Sequence, residues 1–314
     1  MTPIKASQNC GEDYNVLNSS LPAEYKKLTP SELVSKINSA KKELGNSVVI
    51  LGHHYQRDEI VIHADYRGDS LKLAQLASQH YDAQFIIFCG VHFMAESADI
   101  LSQDSQIVIL PNMDAGCSMA DMASSQQVMS CWNDLRKAGL EDIIPVTYIN
   151  CSAALKGFVG ERGGVVCTSS NAPKIVDWAL KQGKHVLFFP DQHLGRITAY
   201  KAHIPLEDMV LWDPNQKMGG NEDHILKYKR VILWKGHCSV HSRFNVEQIN
   251  KARLEYPGIK IIVHPECPMD VVMAADMYGS TEYIVKVIRE SETGSQWAVG
   301  TEVNLVSRLQ DEMP

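Results

Sequence analysis

Residues 47–56 read SVVILGHHYQ, an apolar run that ends in four polar side chains. The apolar part is rich in Val and Ile and has no polar residue on either face, which predicts a strand buried on both sides in a parallel sheet. In open α/β sheets, ligands bind beyond the carboxyl ends of the strands. The polar residues His53–Gln56 are therefore candidates for part of a binding site.

Eight further runs of the same kind follow along the chain: QFIIFCG, QIVILP, IPVTYIN, GVVCTS, KHVLFFP, RVILWKG, KIIVHP and QWAVGTE. Helical patterns lie between them. The first helix should begin at Thr29, which can cap it, with Pro30 in the first turn and Glu32 completing a capping box. Others are predicted over residues 70–79, 170–183 and 245–258, where apolar spacing and Gly or Pro stops agree.

This alternation of strand and helix predicts an α/β fold with parallel sheets covered by helices. Nine strands could form a single sheet. We favour three units of three strands, near residues 47–128, 142–210 and 228–314, each a small αβα layer. The corresponding domains are 29–128, 129–227 and 228–314, preceded by an arm over residues 1–28.

Composition narrows the class of protein. The chain has 314 residues, 45% of them hydrophobic, and a net charge of −7 without a basic tract, so nucleic acid and anionic membrane are not expected partners. The N-terminal stretch lacks the continuous apolar segment of a signal peptide, and no apolar run is long enough to span a bilayer. We therefore expect a cytoplasmic protein.

Eight cysteines occur, and no two have CxxC spacing. In a cytoplasmic chain they should be reduced, so a metal site would have to gather them from distant loops. Cys117 lies in the stretch NMDAGCSMADM, between a buried-type strand and a helix-like segment. It could be a small core residue or a thiolate ligand, and the stretch alone does not decide between them.

Polar residues follow most of the other strand runs, in YIN, CTSSN, PDQH, GHCSVH, HPE and GTE. These ends predict a site assembled from several strands. His264 and Glu266 suit one acid/base unit in which the carboxylate orients the imidazole, although a plain loop ion pair is the alternative. Hydroxyl groups in GDSL, TSSNA and YGST lie where helices should begin; they are either caps or a site for phosphate and carboxylate groups.

Together these stretches resemble the iron–sulfur quinolinate synthase family, also called quinolinate synthetase A. The resemblance runs from about residue 30 to the end, in family order. It is carried by LGHHYQ, GDSLKLA, FCGVHFMAESADIL, LPNMDAGCSMADM, VTYINCSAALK, VCTSSNA, FFPDQHLGR, WKGHCSVHSRF, VHPECPMDVV, GSTEYIV and GTEVNLVSRL. It implies three αβα domains in a pseudo-threefold arrangement around a central site.

The resemblance also implies an activity. Family members condense iminoaspartate with dihydroxyacetone phosphate, with loss of phosphate and water, to give quinolinate for NAD biosynthesis. This is a transferase reaction that forms carbon–carbon bonds. It uses a [4Fe–4S] cluster held by three cysteines, whose open iron acts as a Lewis acid. An enzyme that makes iminoaspartate from aspartate is the implied functional partner.

Site residues are implied by the same matches. Cys117 and Cys238 correspond to two cluster ligands, and His53, Tyr55 and Glu266 to catalytic residues. His54 stands where many relatives have Asn and is not included. The implied substrate-binding residues are His53, Ser70, Tyr148, Asn150, Ser169, His264, Glu266, Ser280 and Thr281.

One feature departs from the family pattern. The third cysteine ligand of the family lies in a CPNM-like segment shortly after the Arg308–Leu309 pair, so it is expected beyond Pro314. A chain that ends at Pro314 should hold the cluster poorly and lack full activity, as expected of a third domain without its C-terminal segment. The alternatives are a metal-free lyase or aldolase, and a cluster-deficient relative that binds small acids.

Overall fold

A computed structural model describes residues 22–313. The first 21 residues of the predicted arm and the expected third cysteine beyond Pro314 lie outside this range. Parallel strands alternate with helices throughout. The strands are β1 Val48–His53, β2 Tyr66–Gly68, β3 Phe85–Cys89, β4 Ile107–Ile109, β5 Ile143–Tyr148, β6 Val165–Cys167, β7 His185–Phe189, β8 Met209–Trp212, β9 Val231–Trp234, β10 Lys260–Val263, β11 Met277–Tyr278 and β12 Trp297–Gly300.

The helices that cover the sheets begin in most cases just after a strand. They are α1 Pro30–Leu44, α2 Asp58–Val61, α3 Ser70–Ala77, α4 His92–Leu101, α5 Ser118–Asp121, α6 Ser125–Lys137, α7 Ala153–Glu161, α8 Ala172–Gln182, α9 Gln192–Lys201, α10 Asp223–Leu226, α11 Val246–Glu255, α12 Met269–Ala274, α13 Thr281–Arg289 and α14 Val303–Glu312. The predicted capping box at Thr29 and Glu32 is present at the start of α1.

The strands form three separate sheets, each entirely parallel. Their orders are β2-β1-β3-β4, β6-β5-β7-β9-β8 and β11-β10-β12. Each sheet carries helices, which confirms the predicted α/β fold with three αβα units. The alternative of a single nine-stranded sheet is wrong.

The distribution of strands differs from the expected three in each unit: the sheets have four, five and three. Strands β2, β8 and β11 have no counterpart among the nine predicted runs. Strand β9 pairs with β7 and β8, so it belongs to the second sheet although it falls within residues 228–314. The domain boundaries themselves stay a prediction.

Each sheet has its own apolar core. Leu51 and Phe88 are fully buried in the first, Phe188 and Leu233 in the second, and Ile262 in the third. Burying a side chain of this size contributes about 1.5–3 kcal/mol. Because each sheet is fixed by its own core, its carboxyl edge is a rigid platform for the polar residues that follow its strands.

Candidate active site

The carboxyl ends of strands from all three sheets meet at one cavity of about 320 Å³. His53 ends β1, Tyr148 ends β5, and His264 follows β10. Eleven of the twelve residues that the sequence proposed for the site line this cavity: His53, Tyr55, Ser70, Cys117, Tyr148, Asn150, Ser169, Cys238, His264, Glu266 and Thr281. The twelfth, Ser280, lines a neighbouring cavity that also includes Ser169.

A larger groove, of about 760 Å³, lies elsewhere, between Tyr256 and the C-terminal helix. None of the proposed site residues lines it. The smaller cavity is the better candidate because it brings together polar side chains from distant parts of the chain, as binding sites do.

Two histidines face the cavity in the same protonation state. The amide of Tyr55 donates to Nδ1 of His53 at 3.2 Å, and the amide of Glu266 donates to Nδ1 of His264 at 3.4 Å. Burial lowers the pKa of each imidazole to about 3. Both rings are therefore neutral at pH 7, and since Nδ1 accepts a hydrogen bond, Nε2 carries the proton and can donate.

Tyr55 is held by two hydroxyl groups that follow strands of the third sheet. Its Oη lies 2.9 Å from Oγ1 of Thr281 and 3.0 Å from Oγ1 of Thr301. Burial raises the pKa of the phenol, and the negative charge of Glu266 raises it further. Tyr55 thus remains protonated at neutral pH and can donate a hydrogen bond.

Glu266 is ionised despite complete burial. Burial opposes ionisation, but hydrogen bonds from His241 and Tyr148 outweigh it and hold the pKa of the carboxyl below its ordinary value. Nδ1 of His241 lies 2.8 Å from Oε2 of Glu266, and Tyr148 also bonds this carboxylate. A buried carboxylate held in this way can accept a proton from a bound molecule.

The predicted acid/base pair of His264 and Glu266 has a different geometry from the expected one. Nδ1 of His264 lies 3.8 Å from the carboxylate, whereas His241 makes the short contact. The rings of His241 and His264 stack at a centroid distance of 4.5 Å. His241 thus orients the carboxylate, and Nε2 of the same ring lies 3.1 Å from the Thr301 hydroxyl.

Sequence reasoning therefore missed His241 and Thr301. Both were in stretches already singled out, since GHCSVH ends in His241 and GTE contains Thr301. The available signal was a polar residue next to a proposed site residue. Their role becomes visible only when the second and third sheets meet.

Helix starts at the cavity leave some hydroxyl groups free. Asp69, not Ser70, caps α3, because its Oδ1 accepts from the amide of Lys72 at 2.9 Å. The Ser70 hydroxyl is thereby available to a ligand. Ser280 does cap α13, accepting from the amide of Tyr283 at 3.3 Å, which fits its place outside the main cavity.

Cys117 and Cys238 lie on facing loops at one wall of the cavity. Burial raises the pKa of the Cys117 thiol to about 11 and raises that of Cys238 as well; each thiol also lies close enough to Glu266 to sense its charge. Two cavity-facing thiols from distant loops have the donor chemistry that an iron–sulfur cluster requires. Bound iron would displace their protons.

A second set of donors overlaps this pair. Cys238, His241 and Glu266 offer ligand atoms within 4.8 Å of one another. Cys131, Cys151, Cys167 and Cys267 are buried, and none of them lines the cavity among the described residues.

An α/β fold with this arrangement of thiols, neutral histidines and an ionised carboxylate defines an enzyme-type site. The sequence matches the family described as quinolinate synthetase A protein over residues 35–314. The chain belongs to this family.

Curated relatives agree with the assignment. Quinolinate synthase of Corynebacterium glutamicum is 58% identical over 295 residues, which cover 94% of this chain and 75% of the relative. Quinolinate synthase of Streptomyces coelicolor is 51% identical, covering 92% and 74% of the two chains. That of Halalkalibacterium halodurans is 52% identical, covering 94% and 80%. Among residues 22–313, no helix is long and apolar enough to cross a membrane.

Proposed function

We propose that the protein is a quinolinate synthase that condenses iminoaspartate with dihydroxyacetone phosphate, with loss of phosphate and water. The observation that carries this proposal is the convergence of eleven proposed residues on one cavity of about 320 Å³. That volume suits two small metabolites, and its lining combines hydrogen-bond donors with the carboxyl groups of Asp69 and Glu266.

The side chains with which the cavity would bind acidic substrates are neutral donors. Among the described residues that line it, none is Lys or Arg. Carboxylates would be bound by Nε2–H of His53 and His264, by the Asn150 amide and by hydroxyl groups. The phosphate would lie beside the hydroxyl groups of Ser70 and Thr281, which begin helices α3 and α13 and line the cavity.

We assign Cys117 and Cys238 as two ligands of a [4Fe–4S] cluster. When bound, the cluster would supply an open iron that polarises substrate oxygen atoms, which is a positive centre that the side chains lining the cavity do not provide. The third cysteine stays a prediction for residues beyond Pro314.

Proton transfers fall to Glu266 and Tyr55. The ionised carboxylate of Glu266 is the general base, and His241 holds it in orientation. Tyr55, protonated and bonded to two threonines, donates to a leaving hydroxyl. Both groups are in the protonation state that these roles require at neutral pH, since the carboxylate is free of its proton and the phenol holds one.

The place in metabolism follows from the same proposal. Iminoaspartate would come from an enzyme that oxidises aspartate, and quinolinate would enter NAD biosynthesis. Both steps are expected in the cytoplasm.

Anaerobic reconstitution with iron and sulfide, followed by an assay for quinolinate, tests the function. Product from the protein that carries all three cysteine ligands supports it, and no product from that protein overturns it. Full turnover in strong chelator, with Cys117→Ala harmless, would instead favour a metal-free lyase.

A further inference from the structure

Side chains of the C-terminal helix α14 donate hydrogen bonds to the backbone around Tyr55. Nη1 of Arg308 donates to the carbonyl of His54 at 2.9 Å, and Nη2 donates to the carbonyl of Gln56 at 2.6 Å. Nε of the same guanidinium bonds Oδ1 of Asp58 at 2.6 Å. Arg308 is only 7% exposed, and its bond to the carbonyl of His54 is buried, whereas Asp58 lies at the surface.

The carbonyl between these two is also held by α14. Nδ2 of Asn304 donates to the carbonyl of Tyr55 at 3.2 Å. Three consecutive carbonyls, of residues 54, 55 and 56, therefore accept hydrogen bonds from one helix. This segment follows β1 of the first sheet, whereas α14 follows β12 of the third.

The side chain of Tyr55 also contacts residues that follow strands of the third sheet. Its hydroxyl lies within 3.0 Å of Thr281 and Thr301, which begin α13 and follow β12. Both ends of Tyr55 are thus placed by the third sheet, although its chain position belongs to the first. A small shift between the two sheets would move the phenol in the cavity unless something fixes this segment.

Arg308 suits that task better than another cation would. A guanidinium is planar and presents a rigid fork of donors, so it can bridge two carbonyls and a carboxylate at once. A lysine ammonium in its place could satisfy one or two of them. A buried carbonyl left without a donor costs about 1–3 kcal/mol.

We propose that Arg308 is a positioning residue that sets the location of the Tyr55 phenol in the cavity by fixing the carbonyls on either side of it. The inference rests on the proposed function only in assigning Tyr55 to substrate. The alternative is a plain structural contact between sheets, which would affect stability without acting through Tyr55.

Hydrogen exchange of the backbone amides tests whether Arg308 fixes the segment around Tyr55. The amides of Tyr55 and Gln56 are bonded to His53, so their exchange reports opening of this segment. Arg308→Lys should raise exchange in residues 53–58 about tenfold, the change expected from losing one net hydrogen bond. The matched control is Arg289→Met, which removes an exposed ion pair between another arginine and Glu312 of the same helix. It should leave exchange in residues 53–58 unchanged.

Binding of quinolinate, measured by calorimetry, tests the link to Tyr55. Arg308→Lys should weaken binding about fivefold in the wild-type background and have little effect in a Tyr55→Phe background, because coupled residues are not additive. An equal loss in both backgrounds, or wild-type exchange in Arg308→Lys, would overturn the proposal.

Two further outcomes can also be interpreted: a variant that does not fold, and a wild type that binds no quinolinate. Should Arg308→Lys fail to fold, as judged by circular dichroism, Asn304→Ala replaces it, with faster exchange expected and unchanged exchange counting against the proposal. If the wild type binds no quinolinate but Arg308→Lys still loosens residues 53–58, the proposed function fails while the fixing of the segment is supported.

Discussion

The hydroxyl of Ser118 donates to the hydroxyl of Ser239 at 3.3 Å. These serines directly follow Cys117 and Cys238, which are separated by more than a hundred positions in the chain. The contact joins a loop after the first sheet to a loop after the second. The two proposed cluster ligands lie beside this contact and line the same cavity.

This contact leads to a prediction about iron. After anaerobic reconstitution, Cys117→Ser and Cys238→Ser should each lose most of the visible iron–sulfur absorption, since a cluster needs its thiolates. Cys89→Ser is the matched control, because Cys89 is also partly exposed but does not line the cavity. Equal cluster content in Cys117→Ser and Cys89→Ser would contradict the assignment.

Glu266 should be essential for turnover rather than for folding. Glu266→Gln keeps the shape but removes the acceptor charge, so kcat should fall by about 10²–10⁴, the usual contribution of a positioned general base. His241→Gln should lower kcat less, because the carboxylate remains. Quinolinate formation by the reconstituted enzyme measures both.

Glu282, another carboxylate that contacts a histidine, provides the control for the substitutions of Glu266 and His241. Glu282 bonds His54 at 2.9 Å and is half-buried, but it does not line the cavity. Glu282→Gln should keep most of the activity. If Glu266→Gln were as active as Glu282→Gln, Glu266 would not be the general base.

His264 should make stability dependent on pH. Its pKa is lowered to about 3 in the folded protein by burial, against about 6.5 in an unfolded chain. Between these values the unfolded state binds the proton and the folded state does not, so stability falls as the pH is lowered. From pH 7 to pH 5 this amounts to about 2 kcal/mol for one such histidine.

Urea unfolding at pH 7 and pH 5 checks this. His264→Gln should lose less stability than the wild type over that interval, by the amount that His264 contributes. His224→Gln is the control, since His224 is exposed on the surface. Parallel losses in wild type and His264→Gln would show that His264 is not buried in its neutral form.

The sequence allowed much of the fold and site to be predicted because both depend on local pattern. Val48–His53 is apolar throughout and ends in histidine, and it forms an internal strand whose polar end reaches the cavity. Strands β2 and β11 were missed because neither contains a run of Val or Ile: β2 is Tyr66–Gly68, with a charged arginine at its centre, and β11 has only two residues. The three-residue strands β4 and β6 were predicted because their own residues are apolar and β-branched.

Long-range contacts account for the remaining omissions. Arg308 reads as an ordinary arginine in a helix, yet it bonds a carbonyl 254 positions away. Likewise, His241 acquires its meaning from Glu266. A single sequence displays neither partnership, since neither residue lies near its partner until the sheets are assembled.

Two serines at helix starts should respond in opposite ways to the same substitution. Ser280→Ala removes a cap and should cost about 1 kcal/mol of stability, with little change in the KM for dihydroxyacetone phosphate. Ser70→Ala leaves the Asp69 cap of α3 in place, so stability should change by less than about 0.5 kcal/mol. Because the Ser70 hydroxyl lines the cavity, that variant should raise this KM several-fold. Urea unfolding and steady-state kinetics on both variants separate the two roles, and a Ser70→Ala protein that is destabilised with an unchanged KM would place Ser70 among the caps.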